Sequence, residues 1–102
     1  MPSGLGIDVV HIPRVAALDG AALKKIFHDS ELADARPERL AGLLAGKEAI
    51  IKATRKKAGF LDITISHEPD GAPRAELSTG ARVSISISHD RDYAVAVAIL
   101  EV

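Results

Sequence analysis

The order of secondary-structure signals in this 102-residue chain predicts an α+β fold. Three observations carry that reading. An apolar strand pattern opens the chain, a long helical periodicity occupies its middle, and a run of antiparallel strand patterns fills its second half. Hydrophobic residues make up 47% and charged residues 26%, which suits one folded domain over 1–102 rather than a disordered or fibrous chain.

Residues 5–12, Leu-Gly-Ile-Asp-Val-Val-His-Ile, read as a strand with Ile7 and Val9 on one face and Asp8 and Val10 on the other. Pro13 and Arg14 open a short helical stretch that ends near Asp19-Gly20, and a second covers 21–28. Ser30 is a suitable N-cap for a third turn. The longest helical segment runs from Pro37 to Ala58, with Gly59 as its C-terminal cap. Leu40, Leu43, Leu44, Ile50 and Ile51 form its apolar stripe. Ala41, Gly42, Ala45, Gly46 and Ala49 keep much of the remaining surface slim, so the helix can approach another backbone closely. Lys47 falls inside the stripe, so its stem should lie along the core and its ammonium reach a rim.

Phe60 to His67 reads as a strand, Asp70-Gly71 as a turn, and Pro73 to Leu77 as a partner strand on a sheet edge. Arg82 to Ser88 alternates strictly, Val83, Ile85 and Ile87 on one face and Ser84, Ser86 and Ser88 on the other. A loop, His89-Asp90-Arg91-Asp92, leads to Tyr93–Glu101, a strand apolar on both faces and hence expected at the centre of its sheet.

Composition excludes several functions. There are no cysteines, which removes disulfides, thiolate metal sites and cysteine nucleophiles together. A net charge of −1 argues against a nucleic-acid partner. No apolar run approaches the roughly 20 residues of a membrane helix, and no leader pattern is visible. The expectation is a cytoplasmic protein without a membrane partner. With only Phe27, Phe60 and Tyr93 as aromatics, so short a chain has little bulk for a core and is expected to associate with itself.

Asp8 is the first anomaly, a carboxylate inside an apolar strand. It is either a strand-end aspartate satisfied by an amide or arginine, or a metal-binding or catalytic group. Glu48 and Lys52, spaced i,i+4, are either an ordinary surface ion pair or part of the same site as Asp8. Two carboxylates without His or Cys suit a hard cation such as Mg²⁺, completed by water and substrate phosphate. His89 is either solvated or a donor to a phosphate. Ser88-His89 with Asp90 and Asp92 lacks the relay geometry and oxyanion motif of a serine triad, and no phosphate-loop or dinucleotide glycine motif is present.

In order and spacing, four segments resemble the small bacterial holo-acyl-carrier-protein synthases of the 4′-phosphopantetheinyl transferase superfamily. They are Gly6-Ile7-Asp8-Val9-Val10-His11-Ile12 with Arg14; Lys47-Glu48-Ala49 with Lys52-Ala53; Phe60-Leu61-Asp62-Ile63 with Asp70-Gly71-Ala72-Pro73; and Val83 to His89 with Tyr93-Ala94-Val95-Ala96. The resemblance implies an antiparallel sheet packed against one long helix and short helices. It also implies an activity in lipid metabolism: transfer of the 4′-phosphopantetheine arm of coenzyme A to a serine of an apo acyl carrier protein, releasing 3′,5′-ADP. By motif position it makes Asp8 and Glu48 the Mg²⁺ ligands and Lys52 the cation that neutralises the transferring group. It puts His89 at the nucleotide end of coenzyme A, Pro73 along the cofactor cleft and Arg14 against the acidic helix of the carrier protein. It further implies a homotrimer with its sites between subunits.

The chain departs from the family pattern in three places, one of them a shorter stretch before the long helix. Leu43 and Leu44 stand where an arginine, a phosphate contact, and a phenylalanine are usual, and Arg55-Lys56-Lys57 replaces a Gly-Thr-Gly stretch. Arg55 and Lys56 are either substitute coenzyme A contacts or cations decorating a helix C-terminus. The corresponding alternative function is a catalytically degenerate member of the fold that binds carrier protein or serves assembly.

Overall fold

The computed structural model describes residues 2–101. Strand β1 (Pro2–His11) leads into three short helices, α1 (Ile12–Ala16), α2 (Gly20–Ile26) and α3 (Asp29–Leu32). The long helix α4 (Pro37–Ala53) follows, then β2 (Ile63–His67), β3 (Pro73–Leu77), β4 (Arg82–Asp90) and β5 (Tyr93–Glu101). The strands form two antiparallel sheets, β1-β5-β4 and β2-β3. β5 is central, as its two apolar faces require.

The inner face of the larger sheet packs on α4, and small side chains allow the close approach. On β5, Ala94, Ala96 and Ala98 are buried. On β1, Gly4 and Gly6 face the helix, and a Cβ on either would collide with the carbonyl oxygen of Ala53 or Ala49 respectively. β1 thus rests directly on the α4 backbone. With sheet on one side and α1 and β2 around the rest, α4 is buried nearly all round from Leu40 to Lys47.

Four local expectations are corrected. First, α4 ends at Ala53, not Ala58, because Arg55 and Lys56 turn left-handed, with φ of 56° and 65°. Their amides close the helix end: the Arg55 N–H donates to Lys52 O at 3.1 Å and the Lys56 N–H to Ile51 O at 2.8 Å. Second, 60–62 is a 3₁₀ turn rather than strand. The Asp62 carboxylate accepts from the Gly59 N–H and the Ser78 hydroxyl, both at 2.8 Å, and folds the chain back there. Third, His89 and Asp90 belong to β4, and the hairpin turns at Arg91-Asp92, where Arg91 has φ 53°. Fourth, His28 rather than Ser30 precedes α3 as its cap, its N–H donating to Glu31 Oε1 at 2.7 Å.

Glu31 belongs to a network that nothing local in the sequence signals. Lys47 does not reach a rim; its ammonium is fully buried. It donates to Glu31 Oε1 at 2.7 Å, Ile26 O at 2.8 Å and Phe60 O at 3.2 Å. Glu31 Oε2 accepts the Ile65 N–H at 2.8 Å. One ion pair thereby ties the end of α2, α3, α4, the 3₁₀ turn and β2 together. Its cost in desolvation is offset because all three ammonium protons have acceptors. Burial pulls the Lys47 pKa down, and the Glu31 carboxylate opposes that shift.

Candidate active site

Asp8 lies on the same face of β1 as Gly4 and Gly6, two residues beyond the point where β1 touches α4. The contact directs its side chain toward the exposed edge of the helix, where Glu48 and Lys52 sit one turn apart. Lys52 does not pair with Glu48. Its ammonium donates to Asp8 Oδ1 and to Ile7 O, each at 2.9 Å. The Asp8 side chain is 13% exposed, and its Oδ2 is buried without a hydrogen-bond partner.

Glu48 stands beside Asp8, and its pKa is pushed up to about 7. Burial is the largest cause, followed by sharing a proton with Asp8 and by repulsion from the Asp8 charge; Arg14 of α1 and Lys52 oppose the rise. Two carboxylates so placed compete for protons unless a cation neutralises them. An unsatisfied buried oxygen next to a second carboxyl whose proton a cation would displace is the donor set a hard divalent cation takes. Among the described residues no third His, Cys, Asp or Glu joins the pair, so water and substrate oxygens would complete the shell.

Pro73 and His89 lie elsewhere on the chain, lining a cleft of about 720 Å³ between α4, β2–β3 and the end of β4. Leu43, Arg36, Arg39 and His67 line the same cleft. The sequence reading passed over Arg39, although it precedes Leu43 by four residues and so shares its helix face. Arg55 lines a different cavity, of about 570 Å³, with Lys57, Thr79 and Leu100. Within one chain the structure therefore joins Asp8, Glu48, Lys52 and Arg14. It joins Pro73 with His89, and keeps Arg55 apart from both groups.

A helix clasped by a β1-β5-β4 sheet, with paired carboxylates at their junction, defines a class of protein as well as a shape. The family model of the 4′-phosphopantetheinyl transferase superfamily matches residues 4–98, and the chain belongs to that family. Its relatives include the holo-[acyl-carrier-protein] synthase of Clostridium novyi, 36% identical over 97% of this chain and 87% of the relative. That of Bacillus cereus is 35% identical over 96% of this chain and 94% of the relative. Among solved structures, the Bacillus anthracis synthase in complex with CoA (3′,5′-ADP) superposes with a TM-score of 0.88 at 32% identity, covering 98% of this chain and 96% of that one. The Helicobacter pylori synthase in complex with coenzyme A gives 0.85 at 33% identity, covering 95% and 99%.

Proposed function

We propose that this protein is a holo-acyl-carrier-protein synthase. It moves the 4′-phosphopantetheine arm of coenzyme A to a serine of an apo acyl carrier protein and releases 3′,5′-ADP. The observation that carries the reading is the Asp8–Glu48 pair, with its unsatisfied oxygen and its raised carboxyl pKa, at the two motif positions that the resemblance implies for the metal. Asp8 and Glu48 would hold Mg²⁺. When bound, the ion supplies charge stabilisation to the pyrophosphate under attack.

The chain's own residues do the rest. Lys52, fixed by Asp8 and Ile7 O, offers its ammonium to the transferring phosphoryl group. In the reaction the serine oxygen bonds to phosphorus, the phosphorus–oxygen bond to the nucleotide breaks with its electron pair leaving on the 3′,5′-ADP oxygen, and the serine proton passes to solvent. Pro73 and His89 form the wall for the nucleotide end. Arg14, exposed on α1 beside Glu48, is placed to meet an acidic partner surface as the carrier serine approaches. Arg55 and Lys56 are offered as further coenzyme A contacts, reached across a subunit boundary.

A homotrimer with clefts between subunits accords with the outer face of the sheet. Leu5, Ile7 and Val9 of β1 are 60–69% exposed there, beside exposed Tyr93, Val95 and Ile99 of β5. Mass spectrometry of an apo carrier protein incubated with this protein, coenzyme A and Mg²⁺ tests the function. The expected result is a gain of one phosphopantetheine group; an unchanged carrier mass would leave only a binding or assembly role.

A further inference from the structure

The cleft that holds Pro73 and His89 contains two guanidinium groups, Arg36 and Arg39, and they are committed differently. Arg36 is mostly exposed and is forked onto Asp34, with its Nη1 3.9 Å from Glu38 Oε1. Its Nε lies 2.9 Å from Oδ1 and its Nη2 2.8 Å from Oδ2, a fork that holds the Asp34 pKa near 2. Arg39 is only 22% exposed. Its Nη1 donates to Glu31 O at 2.6 Å and Asp34 O at 2.9 Å, so one backbone carbonyl of α3 and one of the α3–α4 connection fix the side chain. Among the described residues its Nη2 and Nε have no hydrogen-bond partner, the nearest carboxylate oxygen being Asp34 Oδ2 at 4.0 Å from Nε. A rigid, half-buried guanidinium with unused donors on a polar cleft is prepared for a bidentate anion. Ser30 and Ser66 around the same cleft add hydroxyl groups, and His67 and His89 add ring nitrogens.

We infer that Arg39 binds the 3′-phosphate of coenzyme A in this cleft and makes the protein select coenzyme A over its dephospho form. The inference rests on the coenzyme A reading above. It differs from the expectation that Arg55 and Lys56 replace the guanidinium lost at Leu43, because Arg39 shares a cleft with Pro73 and His89, whereas Arg55 does not.

Calorimetry of the full-length protein with Mg²⁺, titrating coenzyme A and 3′-dephospho-coenzyme A separately, tests it. Arg39→Met should weaken coenzyme A about tenfold or more, the loss of a charge-assisted pair. It should change dephospho-coenzyme A less than about twofold, so that the preference between the ligands collapses. Arg39→Lys, which keeps a charge but not the planar fork, should give an intermediate coenzyme A affinity with the dephospho form again unmoved. It preserves the test should Arg39→Met fail to fold. Parallel weakening of both ligands would mean that Arg39 only braces the α3–α4 connection, and would overturn the inference. So would unchanged affinities for both. A parent protein that binds coenzyme A and transfers its arm while Arg39 proves silent leaves the functional reading standing. A parent that binds neither ligand overturns both.

Discussion

At the scale of single residues, the decisive group is Glu48. Its carboxyl titrates at about 7 instead of 4.5 because it is half-buried and shares space with Asp8. A carboxyl whose folded pKa is raised contributes stability that is fully present below about 4.5 and lost as pH rises through about 7. In EDTA, Glu48→Gln should therefore melt with the parent near pH 4.5 and above it at pH 8, and Mg²⁺ should close the gap by stabilising only the parent. A melting difference independent of pH would contradict the shared-proton account. Asp8→Ala and Glu48→Ala should each abolish transfer while circular dichroism stays native, since neither side chain supplies core packing. Lys47, one residue away, behaves differently. Lys47→Met leaves the buried Glu31 carboxylate without its cation, at a cost of about 3–5 kcal/mol in urea denaturation. Adding Glu31→Gln should recover a substantial part of that loss.

At the scale of elements, the site exists because β1 lies against α4 without intervening side chains. Gly6→Ala drives a methyl group into the Ala49 carbonyl, so the strand must lift. The expected result is a loss of about 1–3 kcal/mol together with reduced transfer, because Asp8 moves with the strand. The α4 terminus is strained in the opposite sense. Arg55 and Lys56 both adopt φ values that glycine accepts freely. Arg55→Gly or Lys56→Gly should raise stability by roughly 0.5–1 kcal/mol, the relief of left-handed strain less the added chain entropy. If these cations also hold coenzyme A, the stabilised variants should bind it more weakly, which separates a ligand contact from helix-end decoration.

At the scale of the whole molecule, an apolar stripe on the outer sheet face remains after the chain has folded. It joins Leu5, Ile7 and Val9 to their cross-strand partners Ile99, Val97 and Val95. Ile7→Asp places a charge at its centre without touching α4. If the stripe closes the proposed homotrimer, this variant should sediment as a monomer with secondary structure intact. If the sites lie between subunits, transfer activity should be lost in the same variant. Ile7→Asp protein that stays fully active as a monomer would disprove the trimeric arrangement of the clefts.

The periodicities of β1, α4, β4 and β5, and the anomaly of Asp8 in an apolar strand, were readable along the chain because they depend on neighbours two to four residues away. The small residues of α4 likewise announced a close contact, though not its partner, the glycines of β1. Long-range partners decided the remainder. Lys52 chose Asp8 over the Glu48 on its own helix because the glycines of β1 brought that carboxylate within 2.9 Å. Lys47 turned inward because Glu31, Ile26 and Phe60 together surrounded its ammonium with acceptors. Arg39 entered the cleft of Pro73 and His89 because α4 crosses the ends of β2 and β4 there. Hydrogen bonds and desolvation act through space, so a pairing separated by 16 or 44 positions leaves no periodic trace in the sequence and emerges only when the core closes.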